Sequence, residues 1–297
     1  MKRVMCIPNY SEGRNQEVID KILSCFKEKD GVKLVGNQPD KDHNRLVVEI
    51  IGDPEAVIKS VIESIKVAAE LIDMSKHSGA HPRMGAVDVI PFVPVSEVTT
   101  EDCVGYANTV GKAIGEMGIP VYMYEDAATS PERKNLATVR KGQYEGFFEK
   151  IKLPEWKPDY GPSEMNVKSG CTAVAARFHL VAFNVNLNTD NVDIATSIAK
   201  KVRHIGGGLR FVKAIGLPLE ERHQVQVSMN LVNFEKTAIY QALEMIKSEA
   251  KRYGVSVYGT EIIGLVPLQA LVDSAVYYMQ VENFKTEQVL ETLLIEE

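Results

Sequence analysis

Short β-branched runs alternate along the first half of the chain with stretches in which apolar residues return every three or four positions. Residues 4–8 read as a compact strand. Val18, Ile19, Ile22, Leu23 and Phe26 fall on one face of a helix expected over about 15–29, with Ser11 in the capping turn before it. Residues 46–51 (LVVEII) form a strand closed by Gly52-Asp53-Pro54. Pro54 then stands in the first turn of a helix running to about residue 73, where a missing N–H costs nothing. A strand over 87–95, a helix over 101–117 and a strand over 121–124 follow.

Between residues 154 and 162 the chain reads PEWKPDYGP, with three prolines and no periodicity, which predicts a linker. Past it the pattern changes to long paired strands over 172–187 and 224–232. A helix over about 236–253, a strand over 255–258 and a helical C-terminus complete this half. The alternation implies an α/β (α+β) fold in which two lobes of mixed, partly antiparallel sheet carry helices on their outer faces. The expected lobes are residues 1–155 and 156–297, with a ligand cleft where they join.

With 297 residues, 45% hydrophobic and 25% charged, the chain can bury a sizeable core and has no disordered character. Its net charge of -6 disfavours nucleic acid, which needs an excess of Lys and Arg, although a cleft can still be locally basic. Cys6, Cys25, Cys103 and Cys171 are scattered without C-x-x-C spacing, so reduced, buried thiols are expected and a zinc site is not. Pro8 arrives too early for the apolar core of a secretory signal. The apolar stretch 262–278 is interrupted by Pro267, Gln269 and Asp273, so it reads as core strand plus helix and not as a membrane span. A soluble, cytoplasmic protein is the expectation.

The densest chemistry lies in residues 74–88, MSKHSGAHPRMGAVD, a loop between a helix and a strand. A histidine there can accept and donate a proton within one turnover. Pro82 stiffens the backbone beside His81, and Gly79 and Gly85 permit close approach to the main chain. His77 and His81 are four apart, but Gly79 and Pro82 oppose the helix that a metal-binding pair would need, and no third ligand is evident. The residues alone leave an acid–base histidine and a bland polar loop equally open.

Six blocks, in order along nearly the whole chain, resemble the glutamate formimidoyltransferase family, the formiminotransferase domain of the bifunctional formiminotransferase-cyclodeaminases. They are CIPNYSEGRNQEVID (6–20), LIDMSKHSGAHPRMGAVDVIPFVPV (71–95), PVYMYEDAA (120–128), EWKPDYGP (155–162), QVQVSMNLVNFEKTA (224–238) and GLVPLQALVDSA (264–275). The resemblance implies His81 as the catalytic histidine, and not His77. It also implies a folate-binding stretch over 162–171, so that Gly161, Pro162, Ser163, Glu164, Met165, Asn166, Val167, Lys168, Ser169, Gly170 and Cys171 become binding candidates. It further implies a charged tunnel between the lobes, a homodimer, tetrahydrofolate as co-substrate with no metal, and a separate cyclodeaminase, whose domain this chain lacks. Vertebrate members carry acidic residues where this chain has Gly36-Asn37-Gln38; either Asp40 substitutes for them or nothing does.

Transfer of a formimino group from N-formimino-L-glutamate to N5 of tetrahydrofolate needs one group that takes a proton from N5 and delivers it to the leaving amine. A formyl donor would use the same histidine, and a non-catalytic folate-binding protein would keep the fold. Both substrates are anionic, which makes Arg83, Lys168, Arg210 and Lys213 candidate carboxylate partners. For Arg210 and Lys213 a solvated surface position is the plainer reading. Trp156 is expected to pin the lobes together. Asn184 and Asn186 share one face of a strand, where they either read the pterin edge or tie the sheet to a neighbour.

Overall fold

Asp53 and Pro54 start the longest helix as the sequence dictates: the Asp53 carboxylate accepts from the N–H groups of Glu55 and Ala56, and Pro54 occupies the first turn. A computed structural model describes residues 1–294, which separate into two units, Met1–Arg177 and the described residues from Phe178 onward.

In the first unit, strands β1 (Arg3–Cys6), β2 (Asn9–Tyr10), β3 (Val32–Asp40), β4 (Arg45–Gly52), β5 (Val87–Ser96), β6 (Val121–Glu125) and β7 (Thr172–Ala176) form one mixed sheet. β3 pairs with β4, and β4 with β1 and β2, all antiparallel. β5 then runs parallel to β7, which runs parallel to β6. Helices α1 (Gln16–Ser24), α2 (Pro54–Leu71) and α3 (Thr100–Glu116) contribute Ile22, Val61, Ile65, Val110 and Ile114 to a core with Val4, Ile50, Ile90 and Phe92. α4 (Leu136–Val139) and α5 (Gln143–Lys150) add Val139 and Phe147 to a smaller cluster with Val89, Tyr122 and Ala173. Strands buried on both faces read as continuous apolar runs, as β5 and β7 do. Asp88 is the charged exception within β5.

The second unit holds β8 (Val181–Leu187), α6 (Val192–Val202), β9 (Val212–Leu219), β10 (Gln224–Leu231), α7 (Ile239–Lys251), β11 (Val257–Ile263) and α8 (Leu268–Met279). Its sheet is wholly antiparallel in the order β11-β8-β10-β9. Alternate residues Phe183, Val185, Val227 and Met229 pack with Ile198 of α6 and Ile246 of α7. No helix among the described residues is long and apolar enough to cross a membrane.

Four expectations are corrected. Helix α1 is shorter than expected and is capped by Asn15, whose side chain accepts from Glu17 N and Val18 N, not by Ser11. The apolar run 172–187 is two strands in different sheets. The break between them places the division after Arg177 and not at 155/156, because β7 completes the first sheet between β5 and β6. The Pro-rich stretch is packed structure, not a linker: Asp159 pairs with Arg133 at 2.7 Å and accepts from Met123 N, while Val121 N donates to Tyr160 O. Trp156 packs inside the first unit beside Tyr122, with the Lys150 ammonium 3.7 Å from its ring centroid.

Candidate active site

The loop from α2 to β5 begins with a single 3-10 turn at Met74–Lys76, capped by Asp73. Beyond it the loop is fixed by three neighbours. The first is the tip of the β3–β4 hairpin, where Asn44 takes a left-handed conformation that Asn tolerates well. Asn44 accepts from Gly13 N and donates to Ser78 O, and Ala80 N donates to Asp42 O. Gly79 lies so close that a Cβ there would stand 2.3 Å from His43 O, so only glycine fits.

The second neighbour is α5, reached through Arg83. Its guanidinium is buried and its five N–H donors are spent on the His77 ring and carbonyl, Gln143 and Glu145, with Glu145 at 2.6 and 2.9 Å. Arg83 therefore clamps the loop, and substrate carboxylate would have to compete with Glu145 for it. Guanidinium has no acceptor, so His77 Nδ1 must carry the lone pair and Nε2–H donates to Asn44 O at 3.1 Å. Both nitrogens of His77 are thus structural.

The third is the 162–171 segment. Ala86 N donates to Ser169 O and Cys171 N to Met84 O, and Gly85 bridges to Gly170. Gly170 has φ +70, and a Cβ there would meet Met84 O at 2.2 Å. The two stretches singled out in the sequence are therefore joined directly, within one unit. Gly161 also has positive φ, against Ile119 O. Pro162, Ser163, Glu164, Val167 and Lys168 are exposed, Met165 and Asn166 half-buried, and Ser169, Gly170 and Cys171 buried. Lys168 Nζ donates to Glu70 O at the C-terminal turn of α2. Arg210 and Lys213 lie in the second unit, Arg210 beside the Phe211 ring. Asn186 there bonds Glu261 and Gln226, which ties neighbouring strands together.

His81 faces a tight crevice with no room for a water molecule, lined also by Tyr10, Ser11, His43, Asn44, Arg45, His77, Arg83 and Asp88. Arg45 Nη1 donates to His81 Nε2 at 2.6 Å, so this ring carries its proton on Nδ1, the tautomer opposite to His77. Burial first, then the charges of Arg45 and Arg140, push the His81 imidazole down to about 4. Burial pushes the Asp88 carboxyl up against the opposing pull of Arg140, its ion-pair partner. Asp40 holds His43 at 2.7 Å, and the His43 ring lies edge-on to His81 at 6.1 Å. His43 and Arg45 escaped the sequence reading, because DKDHNR looks like an ordinary polar turn.

The imidazole held neutral has a consequence for stability. The unfolded chain, with its histidine near 6.5, takes up the proton first as pH falls. Stabilisation tied to the neutral ring is complete above that value and is lost as pH drops through about 4. His81→Gln is expected to flatten this part of the stability–pH curve in urea unfolding. An unchanged slope between pH 4 and 6.5 would show that the ring is not held neutral.

The structure thus places a neutral imidazole in a crevice edged by arginines on a two-unit α/β scaffold. Comparison with known proteins places the chain more closely. Residues 3–177 match the formiminotransferase domain, N-terminal subdomain, and residues 182–296 match the formiminotransferase domain, so the matched segments meet where the two units divide. The chain is 53% identical to a glutamate formimidoyltransferase of Streptococcus pyogenes serotype M1 over 99% of both chains. It is 46% identical to one from Thermoplasma acidophilum over 98% of this chain and 97% of that one. It is 43% identical to the formimidoyltransferase-cyclodeaminase of Mus musculus over 94% of this chain and 53% of that protein. The chain belongs to the formiminotransferase domain family.

Proposed function

We propose that the protein is a glutamate formimidoyltransferase that moves the formimino group of N-formimino-L-glutamate to N5 of tetrahydrofolate, with His81 as the proton shuttle. The observation that carries the reading is His81 itself: a neutral ring whose Nε2 lone pair accepts from Arg45 in a crevice edged by positive charge. Full-length similarity to two glutamate formimidoyltransferases supports it.

N5 attacks the amidine carbon and forms a tetrahedral centre bearing three nitrogens. His81 Nε2 takes the N5 proton and returns it to the glutamate nitrogen. The carbon–nitrogen bond to glutamate then breaks, and glutamate leaves as an amine while formimino-tetrahydrofolate remains. The proton count is unchanged over the cycle. Tetrahydrofolate is a co-substrate, and the chemistry requires neither metal nor a covalent enzyme intermediate. The 162–171 segment is the proposed folate-binding element, Lys168 meeting the glutamyl tail with the two N–H donors its bond to Glu70 leaves over. Histidine degradation in the cytoplasm, a homodimer and a separate cyclodeaminase acting on the product complete the proposal.

The direct test is product analysis with purified protein, tetrahydrofolate and formiminoglutamate; no formimino-tetrahydrofolate would refute the reading. Lys168→Ala removes one charge-assisted contact, worth on the order of 1.5–3 kcal/mol. Folate affinity is expected to fall roughly ten- to a hundred-fold, with the rate at saturating folate unchanged because ground and transition states share this contact. Unchanged affinity would assign Lys168 to its helix-end role alone.

A further inference from the structure

The charges around His81 do not balance locally. Arg83 is matched by Glu145 and Arg140 by Asp88, while Asp40 spends its carboxylate on the His43 ring and on the N–H groups of Asp42 and His43. Arg45, the guanidinium nearest the reactive nitrogen, forms no ion pair among the described residues. Its Nε is buried without a hydrogen-bond partner, and so is Nε of Arg140. A guanidinium that spends its Nη1 donor on a neutral imidazole nitrogen has made a weak bargain, because its strongest partners are carboxylates, which it grips with two parallel N–H bonds. The contact also has a chemical cost, since Nε2 of His81 is the lone pair that must receive the N5 proton. As the free protein stands, Arg45 covers it.

We infer that Arg45 is a positioning residue with two states: it caps His81 Nε2 in the free protein and transfers to the α-carboxylate of the bound amino-acid donor, uncovering Nε2 for proton transfer. The inference rests on the reaction proposed above. In formiminoglutamate the α-carboxylate is bonded to the same carbon as the nitrogen that leaves. A group touching the histidine that protonates that nitrogen is therefore placed to reach this carboxylate. The glutamyl carboxylates of folate are separated from N5 by the aminobenzoyl spacer and are not.

Transfer of Arg45 to a carboxylate also neutralises the charge bearing most directly on His81. That matters for turnover, because an imidazole whose conjugate acid is as acidic as the free protein makes it would accept the N5 proton poorly, whereas one that titrates near neutrality moves it both ways. The remaining ionisable groups facing the ring keep their places: Asp40 and His43 from the hairpin, His77 and Arg83 from its own loop, Tyr10 from β2, Asp88 from β5 and Arg140 beyond it. Arg45 alone lacks a carboxylate to hold it. Binding of the donor would thus switch on its own base.

The test is a titration of the six histidines by NMR in the full-length protein, with His81 assigned by His81→Gln. In the free protein His81 is expected to titrate near 4, and saturating L-glutamate should raise it by one to two pH units, roughly a ten- to hundred-fold change in proton affinity. Glutamate with its α-carboxylate converted to the amide should leave it low, as should p-aminobenzoylglutamate, which presents the folate tail alone. Arg45→Gln should raise the His81 value only part of the way without ligand, since burial and Arg140 still hold it down, and abolish the response to glutamate. It should also raise KM for formiminoglutamate roughly ten- to a hundred-fold while leaving folate affinity alone. An equal response to glutamate and its α-amide in the wild type, which needs no variant to fold, would overturn the inference. So would a glutamate response that survives Arg45→Gln. Absence of formimino transfer by the wild type would instead refute the reaction while leaving the titration result standing.

Discussion

His81→Ala is expected to lower turnover by about two to four orders of magnitude, the usual contribution of a positioned general acid–base group. Folate affinity and fold should survive. The ring's one hydrogen bond to another side chain is to Arg45, and the loop is held instead by Asn44, Arg83 and the strand-like pairing of Met84–Ala86 with Ser169–Cys171. His77→Ala makes the contrast. Both nitrogens of His77 are tied to Arg83 and Asn44 O, so its loss should loosen the loop and cost stability while leaving the chemical step largely intact. Single-turnover rates with folate binding measured in parallel separate the two. Equal rate losses, or a His81 variant that cannot bind folate, would remove the proton shuttle from the mechanism.

Asp88→Ala should be the most damaging substitution for stability, lowering unfolding free energy by about 3–5 kcal/mol, because it strands a largely buried guanidinium without its counter-charge. Asp88 is almost fully enclosed, pairs with Arg140 and accepts from Met84 N at 2.9 Å. Its removal therefore also releases the backbone at the end of the histidine loop. Urea unfolding measures the loss. As a control, the exposed pair Lys152–Glu149 should be removable with no resolvable change. A loss at Asp88 as small as the control's would mean that the Arg140 charge is compensated elsewhere.

Much of the first unit can be read from local pattern. α2, α3, β4 and β5 carry strong periodicity and explicit start signals, such as Asp53-Pro54 and the reciprocal cap of Thr99 with Asp102. β3 and β9 were missed because edge strands with one open side show no clean alternation: VKLVGNQPD and VKAIGLPL mix exposed and half-buried positions. α6 was missed as well, although Asn191 caps it. The Pro-rich stretch misled because its order comes from tertiary partners, chiefly the buried Asp159–Arg133 pair, that no local signal announces. At the site, His81 and the 162–171 segment stood out in the sequence. The hairpin residues His43 and Arg45 did not, since their part depends on a latch between segments more than 30 positions apart.

The place of β7 bears on how the chain comes off the ribosome. Apart from a single bridge between Val121 and Tyr160, β6 pairs among the described strands with β7, the last strand of its unit to be synthesised. A nascent chain that has released VYMYE therefore presents an apolar strand without its β7 neighbour until residues 172–176 emerge to slot between it and β5. Vectorial synthesis thus makes closure of the first sheet a late step. The interval before it is when the growing polypeptide is most exposed to wrong strand pairing and most in need of a chaperone's cover.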